Sequence, residues 1–280
     1  MIRKFSLKNE YGREYPLSLK KAFLTDPEGL GYTMDASYMR IGSSFARNYY
    51  RDDQGAIKGT IVFTGRDCYL SAADFLKFIR TSAALTLIYT TDAGTYMRDV
   101  DMLEFDKTER GEDGALKCDI KLAAKSLWYS DRVQRFSIDL SSQEGTRYPY
   151  KWGSRFRAVT GESVDIVNDG SAEAPITAEL LGSIVNPKII CSVDGREIAR
   201  LEIKGEAAAG EKICYSSVDG DLYCYVLTES GEKRSLLSRL SIKNDNFFKL
   251  PVGTSTLTFE AETQITKPIV LQIRKLYRAV

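Results

Sequence analysis

Lys188-Ile189-Ile190-Cys191-Ser192-Val193, Asp194-Gly195 and Arg196-Glu197-Ile198-Ala199-Arg200-Leu201-Glu202-Ile203 form the stretch that decides the fold. An Asp-Gly pair between two apolar-rich runs is the strongest short-range signal for a β-hairpin, because a tight hairpin turn needs residues that accept positive φ. The same grammar recurs on both sides. Val164 and Ile166 lead into the turn Asn168-Asp169-Gly170, followed by a strand over Ile176 to Leu181. Glu229-Ser230-Gly231-Glu232 is another turn, and Gly253 precedes Thr256-Leu257-Thr258-Phe259-Glu260-Ala261. Short strands at this spacing, with no helical signal of comparable strength, predict an all-β sandwich from about 156 to 280.

Upstream, residues 1 to about 130 read as strands with one helix. Ile61-Val62-Phe63 follows Gly59, and Leu85-Thr86-Leu87-Ile88-Tyr89 is a buried-strand run. Leu116, Cys118, Ile120 and Leu122 alternate with Lys117, Asp119 and Lys121, the period of a half-buried strand. Glu112-Asp113-Gly114 just before it is a turn signal. The helix is expected from Ser71 to about Ser82, with Ser71 and Asp74 as a capping-box-like start. Phe75, Phe78 and Ile79 fall on one face, widened by Leu76, so the helix plugs a sheet or barrel.

The segment from 131 to 155 is polar, then carries Tyr148, Tyr150 and Trp152. It reads as a connection between two domains, 1–130 and 156–280, with those aromatics as candidate inter-domain or partner contacts. No internal repeat relates the halves.

Composition removes whole classes of function. A chain of 280 residues buries a sizeable core, and its formal net charge of +1 gives no global pull toward nucleic acid or an anionic membrane. There is no histidine, which excludes Ser-His-Asp and Cys-His catalysis and the common His-containing zinc motifs. The five cysteines, Cys68, Cys118, Cys191, Cys214 and Cys224, are scattered, without zinc-type pairs, and read as reduced structural thiols. Met1-Ile2-Arg3-Lys4-Phe5-Ser6 lacks the apolar run of a secretory signal, and no stretch reaches the roughly 20 apolar residues of a membrane helix. Synthesis in a cytosol is the expectation.

Few motifs point to chemistry. Gly29-Leu30-Gly31 lacks the third glycine and the following helix of a phosphate loop and reads as a turn. Asp52-Asp53 and Asp219-Gly220-Asp221 do not continue into a calcium loop and read as turn acids. No catalytic residue, cofactor or metal is assigned. Phe45-Ala46-Arg47-Asn48-Tyr49-Tyr50-Arg51-Asp52-Asp53 stands out, with two tyrosines and two arginines flanking an acidic turn. Tyr and Arg are enriched in interface hot spots, so Phe45, Tyr49, Tyr50 and Arg51 are oligomer-interface candidates. An ordinary hairpin with side chains lying along its own sheet explains the same residues.

The order of the chain resembles one family along nearly its full length. Leu7-Lys8-Asn9-Glu10-Tyr11-Gly12 opens the first half, Gly29-Leu30-Gly31 follows, Ser126-Leu127-Trp128-Tyr129 closes it, and Arg274-Lys275-Leu276-Tyr277 ends the strand train. This ordering resembles the distal tail proteins of long-tailed bacteriophages. The resemblance implies an N-terminal β-sandwich or split barrel with one helix, similar to the tail-tube protein, that forms a homohexameric ring. It implies a central channel for DNA, passed without specific binding, and a C-terminal galectin-like β-sandwich outside the ring. The implied partners are the tail tube protein, a tail-associated tip protein and receptor-binding or baseplate proteins, in a virion tail assembled in the host cytoplasm. The galectin sugar pocket is not carried over, since the chain has no His, and no Trp after Trp152. A carbohydrate-binding module for cell-wall adhesion is the second reading, with only tyrosines and Phe247-Phe248 as platforms. A hydrolase using paired acids is the third, and none of the 38 carboxylates is singled out for it.

Overall fold

The computed structural model describes residues 3–19, 21–136, 161–263, 265 and 269–280. The protein is mainly β, with one α-helix among the described residues. Contacts divide it into two compact units, Met1–Ser130 with Leu276–Val280, and Asp131–Lys275.

The first unit carries β1 (Lys4–Asn9), β2 (Glu14–Pro16), β3 (Ser18–Leu19), β4 (Ala22–Glu28), β5 (Met34–Ile41), β6 (Ser44–Asp52) and β7 (Ala56–Phe63). Helix α1 (Cys68–Arg80), β8 (Leu85–Thr90), β9 (Thr95–Lys107) and β10 (Leu116–Ala124) follow. β11 (Trp128–Phe136) starts in this unit and extends into the stretch expected to be a connection. The strands pair antiparallel in the order β2-β1-β8-β9-β10-β7-β4-β3. β9 is long enough to serve two neighbours, pairing Thr95–Val100 with β8 and Val100–Lys107 with β10. β10 alternates as its sequence demands, with Leu116, Cys118, Ile120 and Leu122 buried.

The helix starts one turn earlier than its expected cap. It begins at Cys68 after Asp67, without a side-chain cap, and the Ser71 amide already donates to the Asp67 carbonyl at 2.9 Å. Ser71 is therefore an interior helical residue, and backbone continuity outweighs the weak Asp74 capping signal. The apolar face is as read: Phe75 and Phe78 are fully buried among Phe5, Leu7, Ile61, Phe63 and Trp128. Tyr15 meets Phe75 edge-on with ring centroids 5.1 Å apart. Burial of each Phe contributes roughly 2–3 kcal/mol.

The second unit holds β12 (Gly161–Asn168), β13 (Ile176–Leu181), β14 (Ile184–Val185), β15 (Lys188–Val193), β16 (Arg196–Glu202) and β17 (Glu206–Ala207). β18 (Lys212–Val218), β19 (Asp221–Leu227), β20 (Lys233–Ser235), β21 (Gly253–Glu260) and β22 (Ile269–Tyr277) complete it. One sheet runs β20-β19-β18-β13-β22 and another β12-β21-β15-β16, with β14-β17 as a small pair. Ile176, Leu180, Ile213 and Leu271 from the first sheet share one core with Ile189, Cys191, Leu201, Leu257 and Phe259 from the second. The hairpin β15–β16 turns at Asp194 (φ +50°) and Gly195 (φ +75°), the two positive dihedrals its sequence predicts. β22 pairs with β13 through Ile269–Ile273, while residues from Leu276 onward belong to the first unit, where Tyr277 packs edge-on against Tyr96.

Candidate functional site

β4 and β7 are paired neighbours, yet 27 residues separate Glu28 from Ala56 in the chain. That excursion leaves and returns at one point. Gly29, at φ +79°, sits so close to the Ala56 carbonyl that a Cβ would collide with it, so only glycine fits this pinch. Gly29-Leu30-Gly31 is thus a turn at the root of an arm. Arg98, buried by its neighbours, braces the returning leg, donating to the Gln54 carbonyl at 3.4 Å and the Ser126 carbonyl at 2.8 Å. Burial pulls its guanidinium below its ordinary pKa, but Arg stays protonated in any physiological range.

The arm itself is the hairpin β5–β6, a two-stranded sheet with no other strand on either edge among the described residues. Its turn is Gly42-Ser43, with Gly42 at φ +62°, and the Asp53 amide closes the base by donating to the Thr33 carbonyl at 3.1 Å. The acidic turn expected at Asp52-Asp53 is instead the end of β6, because the glycine at position 42 supplies the positive φ that the acids do not. Cross-strand partners share a face, so the register sorts the side chains. Tyr38 opposite Arg47, Arg40 opposite Phe45, and Ala36 opposite Tyr50 form one face. Met39, Ile41, Tyr49 and Arg51 belong to the other.

The two faces differ chemically. On the first, Tyr38, Phe45 and Tyr50 are 60%, 69% and 53% exposed, and the Arg47 guanidinium lies 3.8 Å from the Tyr50 ring centroid. On the second, the Tyr49 hydroxyl and the Arg51 guanidinium both reach the Asp35 carboxylate, Arg51 at 3.1 Å, while Met39 and Ile41 stay exposed near the tip. The four interface candidates are thereby split, Phe45 and Tyr50 on one side and Tyr49 and Arg51 on the other. Sequence reasoning missed Tyr38, Met39 and Ile41; the alternation Tyr38-Met39-Arg40-Ile41 before a glycine was the available signal. Tyr148, Tyr150 and Trp152 lie outside the described residues.

Other candidates resolve into structure. All five cysteines are buried and free, and burial pushes Cys118 up to about 11 and Cys224 up to about 12, so both are neutral thiols at neutral pH. Asp219 pairs with Lys249 at 2.6 Å beside the β18–β19 turn. Phe248 is buried, and Phe247 stacks on Tyr215 with centroids 5.9 Å apart, so neither offers an exposed sugar platform. A groove on the first unit gathers Asp26, Glu28, Glu104, Asp106 and Asp119 around Lys58 and Lys121.

Residues 4–125 match the family model described as distal tail protein, N-terminal domain. That match spans a little under half of the chain. No curated protein matches it by sequence. Among solved structures, a chain of the phage P2 baseplate in its activated conformation with Ca is similar, at 15% identity and TM-score 0.67, covering 100% of both chains. The phage SPP1 Dit protein, described as a paradigm of the hub adsorption apparatus in phages infecting Gram-positive hosts, is 11% identical with TM-score 0.65, covering 97% of this chain and 98% of that one. At these identities the likeness is one of fold, and it extends over both units of the chain.

Proposed function

We propose that this chain is a phage distal tail protein that assembles as a homohexameric ring at the end of the tail tube, joining it to the tip protein and scaffolding receptor-binding proteins. The observation that carries this reading is the hairpin arm, whose aromatic face is exposed on a two-stranded sheet. Isolated two-stranded hairpins are marginal in water, and contiguous exposed apolar faces mark association sites. Tyr38, Phe45 and Tyr50 seat against a neighbouring copy, while Tyr49 and Arg51, tied to Asp35, shape the opposite face for the copy or partner on that side. The acidic groove supports a DNA channel, because five carboxylates against two lysines disfavour the phosphate contacts that would grip a passing duplex. The second unit, with two facing sheets, serves as a galectin-like platform outside the ring. The protein works by association, not turnover.

Light scattering and negative-stain imaging of the purified chain test this directly. The expected result is a mass near six chains and a ring with a central hole. The triple variant Tyr38→Ala, Phe45→Ala, Tyr50→Ala is expected to remain folded and run at lower mass. A parent chain that stays monomeric at high concentration, both alone and with tail tube protein, would sink the reading.

A further inference from the structure

The second unit carries a polar cleft of about 660 Å3 that the ring reading leaves unused. It is lined by Lys204, Glu206, Arg234, Ser235, Ser238 and Arg239, with Asn186 at its edge. Its geometry follows from short backbone ties. The Lys204 amide donates to the Arg239 carbonyl at 2.9 Å, beside the isolated bridge between Ile203 and Leu240. The Asn186 amide donates to the Gly205 carbonyl at 2.8 Å, and the Gly205 backbone lies against Leu236, where a Cβ would come within 3.1 Å of the Leu236 side chain. The cleft therefore has a packed floor and an exposed charged lining.

Its charges are unevenly committed. Arg234 is engaged with Glu211 at 3.6 Å and with the Glu206 carbonyl at 3.3 Å. Lys204, just after the bridged Ile203, and Arg239, the last residue of the 3-10 turn Leu237–Arg239, have no carboxylate within ion-pair distance among the described residues, and the Glu206 carboxylate has no cation there either. Both cations line the cleft without a carboxylate partner, and a bound anion supplies one. Lys offers a compact ammonium and Arg a planar fork, a pairing suited to a tetrahedral phosphate. Glu206 is unfavourable to a bare anion but accepts a hydrogen bond from a hydroxyl. A ligand carrying both groups satisfies the whole lining.

We propose that this cleft binds a hydroxyl-bearing phosphate ester, a phosphorylated polyol or sugar, with Lys204 and Arg239 on the phosphate and Glu206 accepting from a neighbouring hydroxyl. The proposal stands independently of the ring. It is tested by calorimetric titration of the full chain with glycerol 3-phosphate, inorganic phosphate, glycerol and a poly(glycerol phosphate) chain at low and physiological salt. The expected result is saturable binding of glycerol 3-phosphate, tighter than inorganic phosphate, with glycerol silent. Lys204→Gln with Arg239→Gln is expected to weaken it by tenfold or more, and Glu206→Gln to erase the preference over inorganic phosphate. Lys243→Gln, outside the cleft, is the control and binds as the parent. Tighter binding of the polymer than of the monomer assigns the phosphate to a surface polymer, and equal binding assigns it to a soluble ester. Absence of saturable ester binding at millimolar concentration, or a double variant that melts and binds like the parent, overturns the proposal.

Discussion

Two hairpins of this protein begin from similar local chemistry and meet opposite fates. β15–β16 turns at Asp194-Gly195 and lies within a four-stranded sheet, where Ile189, Cys191 and Leu201 are fully buried. β5–β6 turns at Gly42-Ser43 and pairs with no further strand among the described residues, leaving Tyr38, Phe45 and Tyr50 open to solvent. Both alternate, both turn on glycine, and both are antiparallel. The difference lies in what covers them. The first hairpin satisfies its apolar face within the chain and contributes stability to it. The second keeps its apolar face open to solvent.

The largest expected contrast is in folding stability. Ile189→Ala leaves a cavity in a closed core and is expected to cost about 2–5 kcal/mol, read as a shift in the denaturant midpoint. Phe45→Ala and Tyr50→Ala in the monomer are expected to stay within about 0.5 kcal/mol of the parent, because their side chains lose little on exposure. A Phe45→Ala loss as large as that of Ile189→Ala would erase the contrast and show that the hairpin is part of the core.

The root of the arm offers a second test. Gly29→Ala puts a Cβ into the Ala56 carbonyl at positive φ and is expected to cost about 1–3 kcal/mol, whereas Gly42→Ala at the tip meets no neighbour and costs about 1 kcal/mol from its dihedral alone. Thermal unfolding of the two variants ranks them, and equal shifts would remove the pinch from the account.

Alkaline pH probes the covered side. Burial raises Cys191, and raises Cys118 to about 11, from an ordinary value of 9. A folded value above the unfolded one means the contribution is fully present below pH 9 and is lost as pH rises through 11. Unfolding free energy is thus expected to fall by about 1–2 kcal/mol between pH 9 and 10.5 through Cys118, and Cys118→Ala flattens that decline. A thiol placed in the arm as Phe45→Cys reacts rapidly with a thiol reagent at pH 8, while the five native thiols react only on unfolding.

The smallest effect belongs to Arg51. Its pair with Asp35 is solvent-exposed, and Arg51→Ala is expected to change monomer stability by less than about 0.5 kcal/mol. A greater loss in the assembly than in the monomer would place the second face of the arm in contact as well.

Much of this was legible in the residues. Asp194-Gly195, Glu229-Ser230-Gly231-Glu232 and Glu112-Asp113-Gly114 each mark a connection between antiparallel neighbours, because positive φ is a local demand that only a few residue types meet. The alternation of β10 and the Phe75–Phe78 face of α1 were equally local. The start of the helix was not, since a Ser three residues before an Asp mimics a cap wherever it falls. The placement of Phe247 and Phe248 in the core was also hidden, because an aromatic pair reads alike on a platform and under a sheet.

The sequence by itself determined the mainly β class, the turns, the single helix and the absence of histidine chemistry, since each depends on neighbours a few residues apart. Only the tertiary structure decided that Gly29 and Ala56 meet, that Phe45 and Tyr50 face away from Tyr49 and Arg51, and that Lys204 stands beside Arg239 without a counterion among the described residues. Those facts arise from register and from the pairing of distant strands. A one-residue slip moves every side chain to the other face, and no local pattern carries that information.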